Sequence, residues 1–130
     1  MRGRVVRWAI AGLLVAASGM AQAAGSWVAE VPSVRAAVIG RETASEALVA
    51  PSGTQGRIRE VRWRFRVPPG KGWRGRLCHP AGCVALHTAR GRSEALAGLS
   101  ADAPLRFRFS PMAGQAPLVV EGLQVIVNFQ

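Results

Sequence analysis

Four side chains with ligand or redox chemistry crowd into one stretch of this 130-residue sequence: Cys78, His79, Cys83 and His87, its only cysteines and histidines. Two cysteines and two histidines form a zinc set. Spacing argues against that use. If the stretch is extended, His87 lies four residues beyond Cys83, about 13 Å away. His79 sits in the turn beside Cys78, its side chain directed differently. The residues therefore read as two surface histidines beside a disulfide, with no metal and no cofactor. Catalytic constellations fail to assemble elsewhere. Asp102 is the sole aspartate, the six glutamates are scattered, and no nucleophile, base and orienter or Gly-rich phosphate loop emerges. The chain is expected not to be an enzyme.

Arginine is the other chemistry-bearing residue. From Arg57 to Val67 the apolar Val61, Trp63, Phe65 and Val67 alternate with Arg62, Arg64 and Arg66, the period-two pattern of a half-buried strand. Ile58 has the wrong parity for that apolar set, and a bulge near Arg59 and Glu60 would return it to the core. If this strand pairs with Trp73 to His79 through the Pro68-Pro69-Gly70-Lys71-Gly72 loop, Arg62, Arg64, Arg66, Arg74 and Arg76 share one sheet face. Like charges on neighbouring strands repel, and the local sequence offers only Glu60 as counterion. An anionic partner would relieve the repulsion. The plainer reading is a solvated basic face, since exposed charges are screened over ~8 Å at physiological ionic strength.

The first residues set the compartment. Arg2, Arg4 and Arg7 precede an apolar run from Trp8 to Ala17, and Ala21-Gln22-Ala23 is an A-x-A cleavage site. The expectation is a secretory signal peptide over 1–23, cleaved after Ala23, and a single domain over 24–130. The strongly apolar run is far shorter than the ~20 residues of a spanning helix. Cleavage removes three of the 17 basic residues, leaving 14 against 7 acidic ones, a net +7. Lys71 is the one lysine, and arginine favours planar, bidentate contacts with carboxylate or phosphate. An exported protein of this charge meets anionic lipid head groups, envelope glycans or acidic proteins rather than nucleic acid. Export also favours a disulfide between the two cysteines.

The elements that must position these residues are short β-like runs broken by Gly and Pro. Cys78 and Cys83 flank a turn containing Pro80 and Gly82, which reads as a disulfide-pinned hairpin with Cys78 opposite Cys83. That register sets Leu77 against Val84, Gly75 against Leu86 and Trp73 against Thr88 on the core side. Arg74, Arg76, Ala85, His87 and the bridge take the other face. Strands are expected at Ser26 to Val31, Val34 to Arg41, Ser93 to Leu99, Leu105 to Phe109, Leu118 to Glu121 and Leu123 to Phe129. Glu42 to Gly53 is read as a crossover loop. About eight short strands describe an all-β, antiparallel sandwich or barrel. Sugar stacking on aromatic rings finds little support, because there is no tyrosine and strand parity turns Trp63 and Trp73 inward. Trp27 alone is free of that constraint.

An ordered set of motifs then resembles the FlhE family of flagellar proteins. It comprises Trp27 after the signal, Trp63-Arg64, Arg76-Leu77-Cys78 with Cys83-Val84, Pro104-Leu105-Arg106-Phe107 and Val125-Ile126-Val127-Asn128-Phe129. The resemblance implies a periplasmic accessory role near the flagellar export or assembly apparatus at the inner membrane, as a chaperone or regulator, limiting proton leakage or assisting assembly. It also implies a β-sandwich similar to carbohydrate-binding modules, and carries over no catalytic residue. The alternative from charge alone is a module binding anionic envelope glycan or lipid head groups through the arginine face.

Overall fold

Alternation of apolar and polar residues along the chain leaves each strand one face to bury, and two sheets meeting face to face satisfy that requirement. The computed structural model describes residues 24–130. The expected signal peptide and its cleavage site lie outside the described residues. Within these, β1 (Gly25–Val31), β2 (Val34–Ala36), β3 (Thr43–Ala44), β4 (Ile58–Arg66), β5 (Trp73–His79), β6 (Gly82–Leu86), β7 (Arg90–Ser93), β8 (Arg106–Pro111) and β9 (Leu118–Phe129) follow in order. One sheet runs β1-β9-β4-β7, with β2 also on β9, and the other runs β3-β8-β5-β6. Every pairing is antiparallel.

The hairpin register is as the cysteines require: Cys78 faces Cys83, Leu77 faces Val84 and Gly75 faces Leu86. It stops there. Because β6 ends at Leu86, Trp73 pairs instead with Pro111 of β8. The bulge anticipated near Arg59 and Glu60 is present as a register shift against β9 between Ile58 and Glu60. It lets Ile58 join Val61, Trp63 and Phe65 in the core.

Four expectations are corrected. The arginine strand β4 does not pair with β5. It lies between β9 and β7, while β5 belongs to the opposite sheet between β8 and β6. Proximity in sequence is only a tendency in strand pairing, and the long Val- and Ile-rich β9 offers the nine-residue β4 a partner along nearly its full length. The Pro-Pro-Gly segment is consequently a crossing between sheets. Next, the two C-terminal runs are one strand, β9. Inward parity changes from Leu118 and Val120 to Leu123, Val125 and Val127, and Gly122, at φ 63°, absorbs the extra residue.

Third, Ser93 to Leu99 is largely a turn. The Ser93 hydroxyl accepts from the Ala95 N–H at 3.0 Å, and the Ala97 N–H donates to the Glu94 carbonyl at 2.9 Å. Leu96 plugs the turn into the core, so the helical propensity of this stretch is spent on a single turn rather than a strand. Strand β7 precedes it. Fourth, Val34 to Arg41 is extended only to Ala36, after which Val38 and Ile39 are exposed. Within Glu42 to Gly53, the two-residue β3 and a Leu48–Leu105 bridge stitch the crossover loop to the second sheet.

Phe65 joins the two sheets. Its ring lies edge-on to Trp73, Phe107 and Phe109 with centroids at 5.2, 5.9 and 5.0 Å. Such arrangements contribute about 0.5–1.5 kcal/mol each beyond the area they bury. Around this cluster Leu77, Leu105, Leu123, Val125 and Val127 are fully buried. Trp27 is buried too, its indole N–H donating to the Ala101 carbonyl at 3.0 Å. Phe65→Ala should therefore lower unfolding free energy by about 3–5 kcal/mol, measurable by urea denaturation. Val28→Ala, on the outer face, should change it by less than ~0.5 kcal/mol.

Candidate binding surface

The side chains that sequence grouped on one face are divided between the two outer faces of the sandwich. Arg62, Arg64 and Arg66 project from β4 on the first sheet, and Arg74 and Arg76 from β5 on the second. Each group acquires partners from strands remote in sequence. On the first sheet Arg92 stands opposite Arg62, and Arg90 opposite Arg64. On the second, Arg76 stands opposite Arg108 and Arg74 opposite Ser110. Arg90, Arg92 and Arg108 were not singled out in the sequence. The apolar Leu105, Phe107 and Phe109 flanking Arg106 and Arg108 marked those two as outward-facing, but Gly91 hides the parity of Arg90 and Arg92.

That glycine has a steric reason. Gly91 pairs with Trp63, and a β-carbon there would come within 2.6 Å of Trp63 Cζ2. The absent side chain lets the indole lie beneath β7, where its N–H donates to the Thr88 carbonyl at 2.9 Å. On the outer face above this pairing, Arg62, Arg64, Arg90, Arg92, Gln124 and Ile126 line an open depression of about 640 Å³.

Counter-charges are distributed unevenly. Glu60 takes Arg62 at 2.7 Å and Arg92 at 3.4 Å, neutralising much of one cross-strand pair. On the second sheet Glu42 receives two hydrogen bonds from Arg76, at 2.7 and 2.6 Å, a fork matched to the carboxylate. Arg66 has a looser, exposed contact with Glu121 at 3.9 Å. Arg64 and Arg90 have no ion pair among the described residues. Hydrogen bonding from Arg76 and its positive charge, with Arg108 adding to the field, hold Glu42 below the ordinary glutamate range against a smaller opposing effect of burial. Glu60 is lowered in the same sense, chiefly by its hydrogen bond from Arg62.

The cysteine hairpin is structural. Cys78 and Cys83 form a disulfide, their Cα atoms 4.0 Å apart, with Cys78 buried and Cys83 at the surface. Expectation and structure differ for His79, which is buried rather than superficial. Its Nδ1 accepts from the Ala81 N–H at 3.0 Å, so Nε2 carries the ring proton toward the Ser100 carbonyl at 3.0 Å. The ring therefore buckles the hairpin tip to the loop that precedes β8. His87 is exposed. Strand parity could not find this role, because the partner loop folds back from 21 residues away.

A disulfide-stapled antiparallel sandwich with its charged side chains on the outer faces defines a small all-β domain. The sequence model described as "Flagellar protein FlhE" matches residues 34–130. Curated relatives include the flagellar protein FlhE of Escherichia coli K12, 33% identical over 123 residues, covering 91% of this chain and 92% of that protein. FlhE of Yersinia enterocolitica is 33% identical over 119 residues, covering 85% and 84%. A solved structure described as the crystal structure of FlhE superposes with a TM-score of 0.76 at 31% identity, covering 84% of this chain and 99% of that one. The chain belongs to the FlhE family of flagellar proteins.

Two outcomes follow for this surface. A depressed carboxylate stabilises the fold fully above its unfolded value of ~4.3 and loses that contribution as pH falls through the folded one. Glu42→Gln and Glu60→Gln should accordingly flatten the acid limb of a stability profile below about pH 4, read as a smaller fall in urea midpoint than in the native protein. Thiol labelling of the native exported protein without reductant should modify neither Cys78 nor Cys83, and label both after reduction.

Proposed function

We propose that the chain works in the periplasm, after removal of residues 1–23, as an accessory of flagellar biogenesis. In this reading it binds a component of the export or assembly apparatus at the inner membrane, as a chaperone or regulator that supports motility and limits proton leakage. Membership of the FlhE family across nearly the whole described domain carries the proposal. Physical features support a binding role. The core is closed by interdigitated aromatic rings, and the polar groups with unmet charge stand on the outside. Of the arginines read as a patch, Arg62, Arg64 and Arg66 form one candidate contact surface, and Arg74 and Arg76 another on the reverse. The sandwich is similar to carbohydrate-binding modules in architecture alone. Trp27 and Trp63 lie inside, which removes them as platforms for sugar.

In-cell crosslinking of the exported protein, followed by identification of the captured protein, tests the reading together with motility of a deletion strain. A flagellar export or assembly component and impaired motility are expected. Normal motility with no such component recovered would overturn it.

A further inference from the structure

Resting on that reading, we infer that the Arg64–Arg90 pair on the first sheet is the docking point for an acidic segment of a partner protein, one that sets an apolar side chain beside its carboxylate. The pair is formed by tertiary structure, from strands β4 and β7 in direct register. Two guanidinium groups opposite one another repel. The neighbouring Arg62–Arg92 pair meets the same problem and has Glu60 to share. Glu30, in the same row as Arg64 but beyond Gln124, is engaged by the Gln124 amide at 3.1 Å. Arg64 and Arg90 thus present forked donors to the open depression, suited to a carboxylate from outside.

What surrounds the pair selects among anions. One row along the sheet, Arg62 is followed by Ile126 on β9 and Val28 on β1, and Val28 is 53% exposed. Ile126 also lines the depression. An acidic polysaccharide could meet the arginines but would leave these aliphatic groups wet, and Trp27 and Trp63 are not available for stacking. A flat anionic membrane would press against Glu30, Glu60 and Glu121 on the same face. An acidic protein segment can place one carboxylate on the arginine pair and an apolar neighbour on Ile126 and Val28 without meeting those glutamates.

Binding is measured on the exported full-length protein with three probes: a short peptide in which glutamates flank a leucine, sodium polygalacturonate, and phosphatidylglycerol vesicles. The peptide should bind in preference to the other two. Its affinity should fall at least tenfold in Arg64→Gln with Arg90→Gln, severalfold in Val28→Ser, and little in Arg62→Gln. Replacing the leucine by glycine should remove the effect of Val28→Ser. A thermal melt of the double variant should show a folded protein with an unchanged or higher midpoint, since the change removes like-charge repulsion. Equal peptide affinity in native and double-variant protein, or no gain over a glutamine version of the peptide, would overturn the inference. Arginine-dependent preference for polygalacturonate or vesicles would overturn the ligand class. Full restoration of motility by the double variant in a deletion strain with a motility defect would sink this site while leaving the flagellar role standing. Absence of that defect would count against the role itself.

Discussion

The packing of Phe65 against the opposite sheet is the contact on which the rest of the molecule depends. One ring from β4 meets three rings from β5 and β8, so the face of β4 that carries Val61 and Trp63 is committed inward. The alternation of the strand then commits Arg62, Arg64 and Arg66 outward, because successive side chains point to opposite faces. A single interior requirement thereby determines which charges the surface displays.

The same requirement explains why the arginines are split. Were β4 and β5 neighbours in one sheet, five arginines would crowd together and the inner faces would need a second sheet from elsewhere. Crossing over at the Pro-Pro-Gly segment puts the two strands on opposite layers. It separates Arg74 and Arg76 from the arginines of β4 and brings one remote acid within reach, Glu42 beside Arg76, while Glu60 of β4 itself serves the other face. On the first face the cross-strand pair Arg64 and Arg90 is left with no acid in reach among the described residues. The result is a dry interior and an unevenly compensated exterior.

Membership of a flagellar family gives this division a setting. The core, the disulfide and the His79 contact hold the scaffold. In the proposed role, specificity falls to outer-face side chains, whose identities can change without disturbing the inward parity of their neighbours.

The sequence by itself determined what is local. Turn residues and the cysteine pair set the β5–β6 hairpin and its register. Parity sorted Trp63, Phe65, Phe107 and Phe109 inward and the arginines outward, and the misfit of Ile58 exposed the bulge in advance. These features depend only on periodicity and on residues close in the chain. Tertiary structure alone decided which strands became neighbours. Pairing β4 with β9 and β7 joins residues far apart in sequence, and its energy depends on burial across the whole sandwich rather than on any local pattern. For that reason Arg64 found Arg90 instead of Arg74, and His79 was drawn inside by Ser100 although nothing beside it in the sequence required it.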